Sequence, residues 1–256
     1  MRNELFVWAC TPQEEPGPAL RGARRAQLGY RISDTGRLFY GFARKPSGGI
    51  LTLSDDGTGR PDAEAFLPEL EKELRRGAFS GIFADLEAMT PSLFALAGEM
   101  EALVQRLRIP LFVPESYAAG TQRAFVLIGS DVAAGDYALR LEEAALRFGP
   151  RLALELVPLR ADFALPGQGR AQPLTREELR GLLERGAQVY YSQALCANYF
   201  TYRDGGQDTH FVLFDDEKSL MRKCELAEKA GVGSIFALYQ EAAPFFSDNP
   251  ALSDAY

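Results

Sequence analysis

The sequence has one histidine, His210, in 256 residues, and only three cysteines, Cys10, Cys196 and Cys224. A Ser-His-Asp hydrolase needs its histidine beside a nucleophile, and His210 falls in a predicted hairpin away from any Ser or Cys motif. Three widely spaced cysteines form neither a metal-ligand pattern nor a disulfide framework, so they read as reduced thiols, and no metal or cofactor is expected. Cys10 ends the first predicted strand, and without a nearby His it reads as a small buried hydrophobe. No apolar run reaches the ~18 residues that would span a membrane. The N-terminus, MRNELFVWACTPQ, has too short an apolar stretch for a signal peptide and carries Glu4 inside it, so a cytoplasmic protein without membrane contact is expected. An excess of basic charge is missing too. Lys and Arg number 28 against 35 Asp and Glu, for a net charge of −7 and a pI near 5.0. Nucleic-acid binders carry a basic footprint, so no nucleic-acid partner is expected, and the short run Arg21-Gly22-Ala23-Arg24-Arg25 reads as a solvated loop.

What is present is ordinary globular composition, 46% hydrophobic and 25% charged. Neither repeats nor a low-complexity linker divide the chain, so residues 1–256 read as one domain. Short β-rich runs alternate with helical patterns. Glu4–Cys10, Leu38–Ala43, Gly49–Ser54, Phe79–Leu86, Ile109–Val113, Ala124–Ile128, Leu152–Val157 and Ser234–Tyr239 read as strands. Gln13–Arg25 reads as loop, and Asp55-Asp56-Gly57 as a turn. Helices are expected over Pro61–Arg76, from Thr90-Pro91 to Leu107, over Ala134–Phe148, over Thr175–Arg185 and over Asp216–Ala230. Thr90 with Pro91 reads as N-cap and first helical residue, and Thr175 with Glu178 as a capping box. Val189–Gln193 reads as extended, and Tyr199–Tyr202 with His210–Phe214 as a hairpin before the last helix.

Strands separated by amphipathic helices imply βαβ units and a parallel sheet. About eight strands in a chain of this length fit a closed (β/α)₈ barrel, which runs ~250 residues. The expected fold is therefore an α/β TIM barrel with an irregular N-terminal portion and a β-hairpin insertion. The alternative is an open doubly wound sheet, but such sheets carry a Gly-rich phosphate loop after the first strand, and here that strand runs into Ala9-Cys10-Thr11-Pro12.

Barrel active sites are built from the C-terminal ends of the strands. Ser80-Gly81-Ile82-Phe83-Ala84-Asp85-Leu86-Glu87 is the informative stretch. Alternation places Gly81, Phe83, Asp85 and Glu87 on one face, which turns acidic only at its end. Two like charges at that spacing raise one pKa, which makes a carboxylic acid available near neutral pH. The competing reading is two acids that merely favour the following helix N-terminus.

This stretch resembles the strand-four signature of glycoside hydrolase family 18, the chitinase-like barrels, D-x-x-D-x-D-x-E. The segment from Phe214-Asp215-Asp216-Glu217-Lys218-Ser219 through Lys223 to Gly231-Val232-Gly233-Ser234-Ile235-Phe236 resembles the family's last helix and eighth strand. The resemblance runs from about Ser80 to the C-terminus. It implies that Glu87 protonates the leaving glycosidic oxygen and that Asp85 orients the substrate's own N-acetyl group, which attacks the anomeric carbon. The pattern departs at Ser80 and Phe83, where the family has Asp. The family's M-x-Y-D motif is here Ile128-Gly129-Ser130-Asp131, so Ser130 replaces its Tyr while Asp131 is kept, and Tyr239 stands where the family usually has a Trp floor.

Strand positions nominate further residues. Glu115 reads as a second acid, a sugar-hydroxyl ligand or a helix-start charge. Trp8 reads as a sugar platform or a buried barrel residue, Tyr190 and Gln193 as mouth or rim residues, and Arg160 and Asp162 as substrate contacts or partners of each other. Three functions follow: a hydrolase of N-acetylated amino-sugar glycans, chitin- or peptidoglycan-like; a non-catalytic carbohydrate-binding barrel of the same ancestry; or an enzyme using Glu87 and Glu115 as an acid/base pair. The expected partner in the first two is an oligosaccharide.

Overall fold

The computed structural model describes residues 5–14, 23–55, 61–165, 171–205 and 208–246. Glu4, Arg21, Gly22, the Asp56-Gly57 turn and Gly206, all assigned from sequence, lie outside the described residues. Eight parallel strands close into a ring: β1 (Phe6–Cys10), β2 (Arg24–Ile32), β4 (Ile50–Ser54), β5 (Gly81–Asp85), β6 (Leu111–Pro114), β7 (Phe125–Gly129), β8 (Leu152–Leu156) and β14 (Ile235–Leu238). Closure runs through β1, which pairs with β14 at Phe6 and Ile235 and with β2 at Val7 and Arg24. The fold is the expected (β/α)₈ barrel with extra strands outside it.

Alternation sorts the strand side chains. Val7, Ala9, Ala26, Phe83, Phe112, Ala153 and Phe236 fill the barrel interior. Their neighbours Phe6, Trp8, Ile82, Ala84, Leu152 and Leu154 point outward into the layer under the helices. In the helix α1 (Ala63–Gly77), Phe66, Leu70 and Leu74 return at helical spacing and are buried there, each contributing roughly 2 kcal/mol of burial.

The second barrel strand is β2 and not Leu38–Ala43. The sequence hides β2 because it opens with Arg24 and Arg25, both exposed, and carries a register shift between Gln27 and Tyr30. Gly29 supplies the irregularity at φ +111°, and a Cβ there would meet the Phe42 ring at 2.5 Å. The extra residue switches faces: Ala26 and Leu28 face the interior, whereas Tyr30 and Ile32 face the helices. The short strand β3 (Leu38–Tyr40) lies antiparallel on the end of β2, outside the ring.

The helices start where their caps stand. Asp62 caps α1, and Thr90 caps α2 (Pro91–Leu107) with Pro91 in the first turn. Asp136 caps α3 (Tyr137–Phe148). Capping boxes open α4 (Arg176–Glu184) at Thr175 and Glu178, and α5 (Glu217–Lys229) at Asp216 and Ser219. The last helix, α6 (Tyr239–Phe246), follows β14 directly. Between β8 and α5 the expected hairpin is the core of a larger insertion. The strands β12 (Ala197–Arg203) and β13 (Thr209–Phe214) form it, and β9 (Arg160–Leu165), β10 (Gln172–Pro173) and β11 (Tyr190–Ser192) extend it to a five-stranded antiparallel sheet. Among the described residues no helix is long and apolar enough to cross a membrane.

Candidate active site

At the C-terminal end of the barrel the interior opens into a cavity of about 280 Å³. Phe83 and Phe236 form its floor, with ring centroids 5.1 Å apart. Two carboxyls stand above that floor, Asp85 at the end of β5 and Glu155 near the end of β8, and Arg160 and Glu241 stand in the wall. Strands β6 and β7 separate β5 from β8 in the ring, so the two carboxyls enter from different sides.

The setting disfavours charge on both. Burial, followed by the charges of Glu87 and Asp55, pushes Asp85 up to about 6. Burial, followed by the charges of Asp85 and Asp131, pushes Glu155 up to about 7. The guanidinium of Arg160 does not neutralise them: it donates to Glu241 Oε2 and to the Leu174 carbonyl, and Arg176 lies 3.5 Å from the same Glu241 carboxyl.

Glu87 follows β5 at the rim and is exposed. Its backbone is held firmly. Asp55, buried just beyond β4, accepts from the N–H of Glu87 at 3.2 Å and of Ala88 at 2.8 Å. The hydroxyl of Tyr117 donates to the Ala88 carbonyl. The segment that presents Glu87 is thereby tied through three successive peptide units.

The other residues nominated from sequence are dispersed. Asp131 is exposed just beyond β7, close enough for its charge to act on Glu155. Ser130 is fully buried and its hydroxyl is committed: it accepts from Val157 N–H at 2.9 Å and donates to Val157 O. It therefore braces β7 against the strand after Glu155 and presents nothing to a ligand. Trp8 points outward from β1, not into the barrel, and is buried against Phe6, Tyr239 and Phe246, because alternation gives the interior to Val7 and Ala9. Tyr239 opens α6 rather than ending β14, half-buried and edge-on to Trp8, and Leu238 before it lines the cavity. Glu115 lies in the short turn after β6 and pairs with Arg140 at 3.2 Å and Arg147 at 3.4 Å, so its charge is taken up by α3. Gln193 is exposed in the turn after β11, beside Asp136 and Arg222 and away from the cavity. Tyr190 stacks on Tyr199 in the inserted sheet. Arg160 and Asp162 are not partners: Asp162 accepts from Tyr202 at 2.7 Å and sits 2.9 Å from His210 Nδ1. Burial, with Glu14 nearby, pushes the Cys10 thiol up to about 12, which leaves it unreactive.

Glu155 and Asp55 were not singled out from sequence. In Leu152-Ala153-Leu154-Glu155-Leu156 the same alternation that picks out Asp85 puts Glu155 with Ala153, opposite three leucines. That signal was present. The role of Asp55 depends on a contact across 32 residues and has no local signature.

A closed parallel barrel with carboxyls at the C-terminal mouth, and an α/β insertion between β8 and α5, defines the class as a (β/α)₈ barrel. No family model and no curated protein matches the chain by sequence. Among solved structures it is similar to a chitinase from Chromobacterium violaceum ATCC 12472, with a TM-score of 0.71 and 16% identity over 99% of this chain and 100% of that one. It is similar to the spore cortex-lytic enzyme SleL of Bacillus megaterium QM B1551, with a TM-score of 0.64 and 14% identity over 95% of this chain and 73% of that one. A GH18 chitinase from Cycas revoluta, solved in complex with (GlcNAc)3, superposes with a TM-score of 0.62 at 15% identity over 97% and 98%. These likenesses establish the fold.

Proposed function

We propose that this barrel is a glycoside hydrolase acting on N-acetylated amino-sugar glycans, chitin- or peptidoglycan-like, with Glu87 as general acid/base and Asp85 orienting the substrate's acetamido group. The observation that carries the reading is the placement of Asp85. It faces an apolar cavity at the catalytic end of a family 18-type barrel, with Glu87 two residues beyond it at the rim. Asp85, whose carboxyl takes up a proton near pH 6, suits an orienting group that changes its hydrogen bonding during the reaction, and Glu87 at the rim stays open to the leaving sugar. The solved relatives support the substrate class: one binds (GlcNAc)3 and another lyses spore cortex.

A carbohydrate-binding barrel without turnover is the second reading, favoured by the exposure of Glu87 and the commitment of Ser130 to Val157. Fluorogenic N-acetylglucosamine oligosaccharides at pH 5 to 7 separate the two. The hydrolase predicts cleavage that drops by at least ~10²-fold in Glu87→Gln with binding kept. Binding without cleavage by the wild type selects the binding barrel, and cleavage undiminished in Glu87→Gln removes that residue from the chemistry.

A further inference from the structure

Burial and neighbouring charges are the influences acting on Asp85 and Glu155, and among the described residues no hydrogen bond reaches either carboxyl. Both side chains are part-buried and open onto the same cavity, so two carboxyls without a partner among the described residues are placed for something that enters it. Their surroundings decide what. The charged groups around Glu155 are Asp85 across the ring, Asp131 beyond the adjacent β7, and Arg160 with Glu241 on the cavity wall. On its other side β14 offers Phe236. Arg160 is paired with Glu241, and among the described residues no cation hydrogen-bonds to either carboxyl. Between pH 6 and 7 the two carboxyls hold one proton between them, with Glu155 the later to lose it.

A carboxylate and a carboxylic acid lining one cavity offer an acceptor and a donor to what enters it. A trans secondary amide is the complement, because its N–H and its C=O point in opposite directions. We propose that Glu155 is a further substrate-binding residue, which grips the acetamido group together with Asp85: Asp85 accepts from the amide N–H while Glu155 donates to the amide carbonyl. The inference rests on the reading of the substrate as an N-acetylated sugar. It supplies the carbonyl with a donor on β8 at a site where Ser130 has none to spare.

Binding of (GlcNAc)3 and of its deacetylated counterpart, measured by calorimetry from pH 5 to 9 on wild type, Glu155→Gln and Glu155→Leu, tests this. Far-ultraviolet circular dichroism checks that the variants fold. The expected result is that the wild type prefers the acetylated trimer and loses about tenfold in affinity between pH 6 and 9 as the donor ionises. Glu155→Gln, which keeps a neutral donor, loses that alkaline fall, and Glu155→Leu is weaker by about tenfold at pH 6. An affinity that is flat with pH in the wild type, or equal in wild type and Glu155→Leu, overturns the inference and leaves the hydrolase reading standing. Tighter binding of the deacetylated trimer at pH 7 overturns it too, since the pair is then a cation site. Failure of the wild type to bind either trimer brings down both.

Discussion

Asp85 and Glu155 destabilise the folded chain while they face the cavity. Each binds its proton more tightly folded than unfolded. The stability they permit is therefore fully present below the unfolded values near 4, and it is lost as pH rises through about 6 and 7. Moving a Glu from its ordinary 4.5 to about 7 corresponds to ~3 kcal/mol at 1.36 kcal/mol per pH unit. Glu155→Gln removes that charge, so at pH 8 it is expected to raise the melting temperature by up to ~8 °C, and at pH 4 to change it little. Calorimetry at the two pH values checks this, and an equal change at both would show that the gain has another source. Stabilisation on removing its charge is what a residue kept for function produces. The same parity rule made Asp85 legible in the sequence and would have exposed Glu155. Applied to β1 it also places Trp8 outward, away from any sugar.

At the scale of elements, local chemistry was the most readable layer. Thr90 with Pro91, the Thr175–Glu178 box and the run opening at Asp216 mark the starts of α2, α4 and α5 because a cap is satisfied within its own turn. β2 was not readable, since its bulge breaks the alternation by which strands are recognised. The short edge strands of the insertion are defined by their partners and not by their own pattern. A second class of tie is equally silent in sequence. Glu101, buried on α2, accepts backbone N–H groups from Gln122, Arg123 and Ala124, and so satisfies the turn that leads into β7. Burial acts to raise its pKa, but the three N–H donors outweigh it and hold the carboxyl below its ordinary range. Its contribution is present above that range and is lost as pH falls through the folded value. Glu101→Ala is expected to cost ~3 kcal/mol in urea unfolding at pH 7, and less at pH 3, where the wild type has itself lost part of the interaction. A cost under ~1 kcal/mol at pH 7 would mean that water replaces the carboxylate at those donors.

For the molecule as a whole, the number of β-rich runs and the chain length pointed to a barrel, and closure through β1 depends only on those strands meeting in register. How the insertion is fastened to the barrel required the structure. The chain leaves the barrel at Leu159 and returns at Asp215, and these two residues exchange backbone and side-chain hydrogen bonds: Asp215 N–H donates to Leu159 O at 2.8 Å, and Leu159 N–H donates to Asp215 Oδ2 at 2.9 Å. The same carboxyl accepts from Ser219 Oγ and from Lys223 Nζ, both at 2.7 Å, and the Asp215 and Lys223 side chains are fully buried. Burial pushes Asp215 up, against the opposing pull of Lys223. A buried pair of this kind adds little net stability over apolar residues, but removing one partner strands the other charge, at a cost of about 3–5 kcal/mol. Lys223→Met is therefore expected to destabilise the chain by that amount. Combining it with Asp215→Asn, which keeps an oxygen for Leu159 N–H while removing the stranded charge, should restore more than half. The double-mutant cycle in urea unfolding measures the coupling directly. If the double variant is as unstable as the sum of the singles, the neck of the insertion is held by the backbone pair at Leu159 and Asp215, and the buried charges contribute nothing to it.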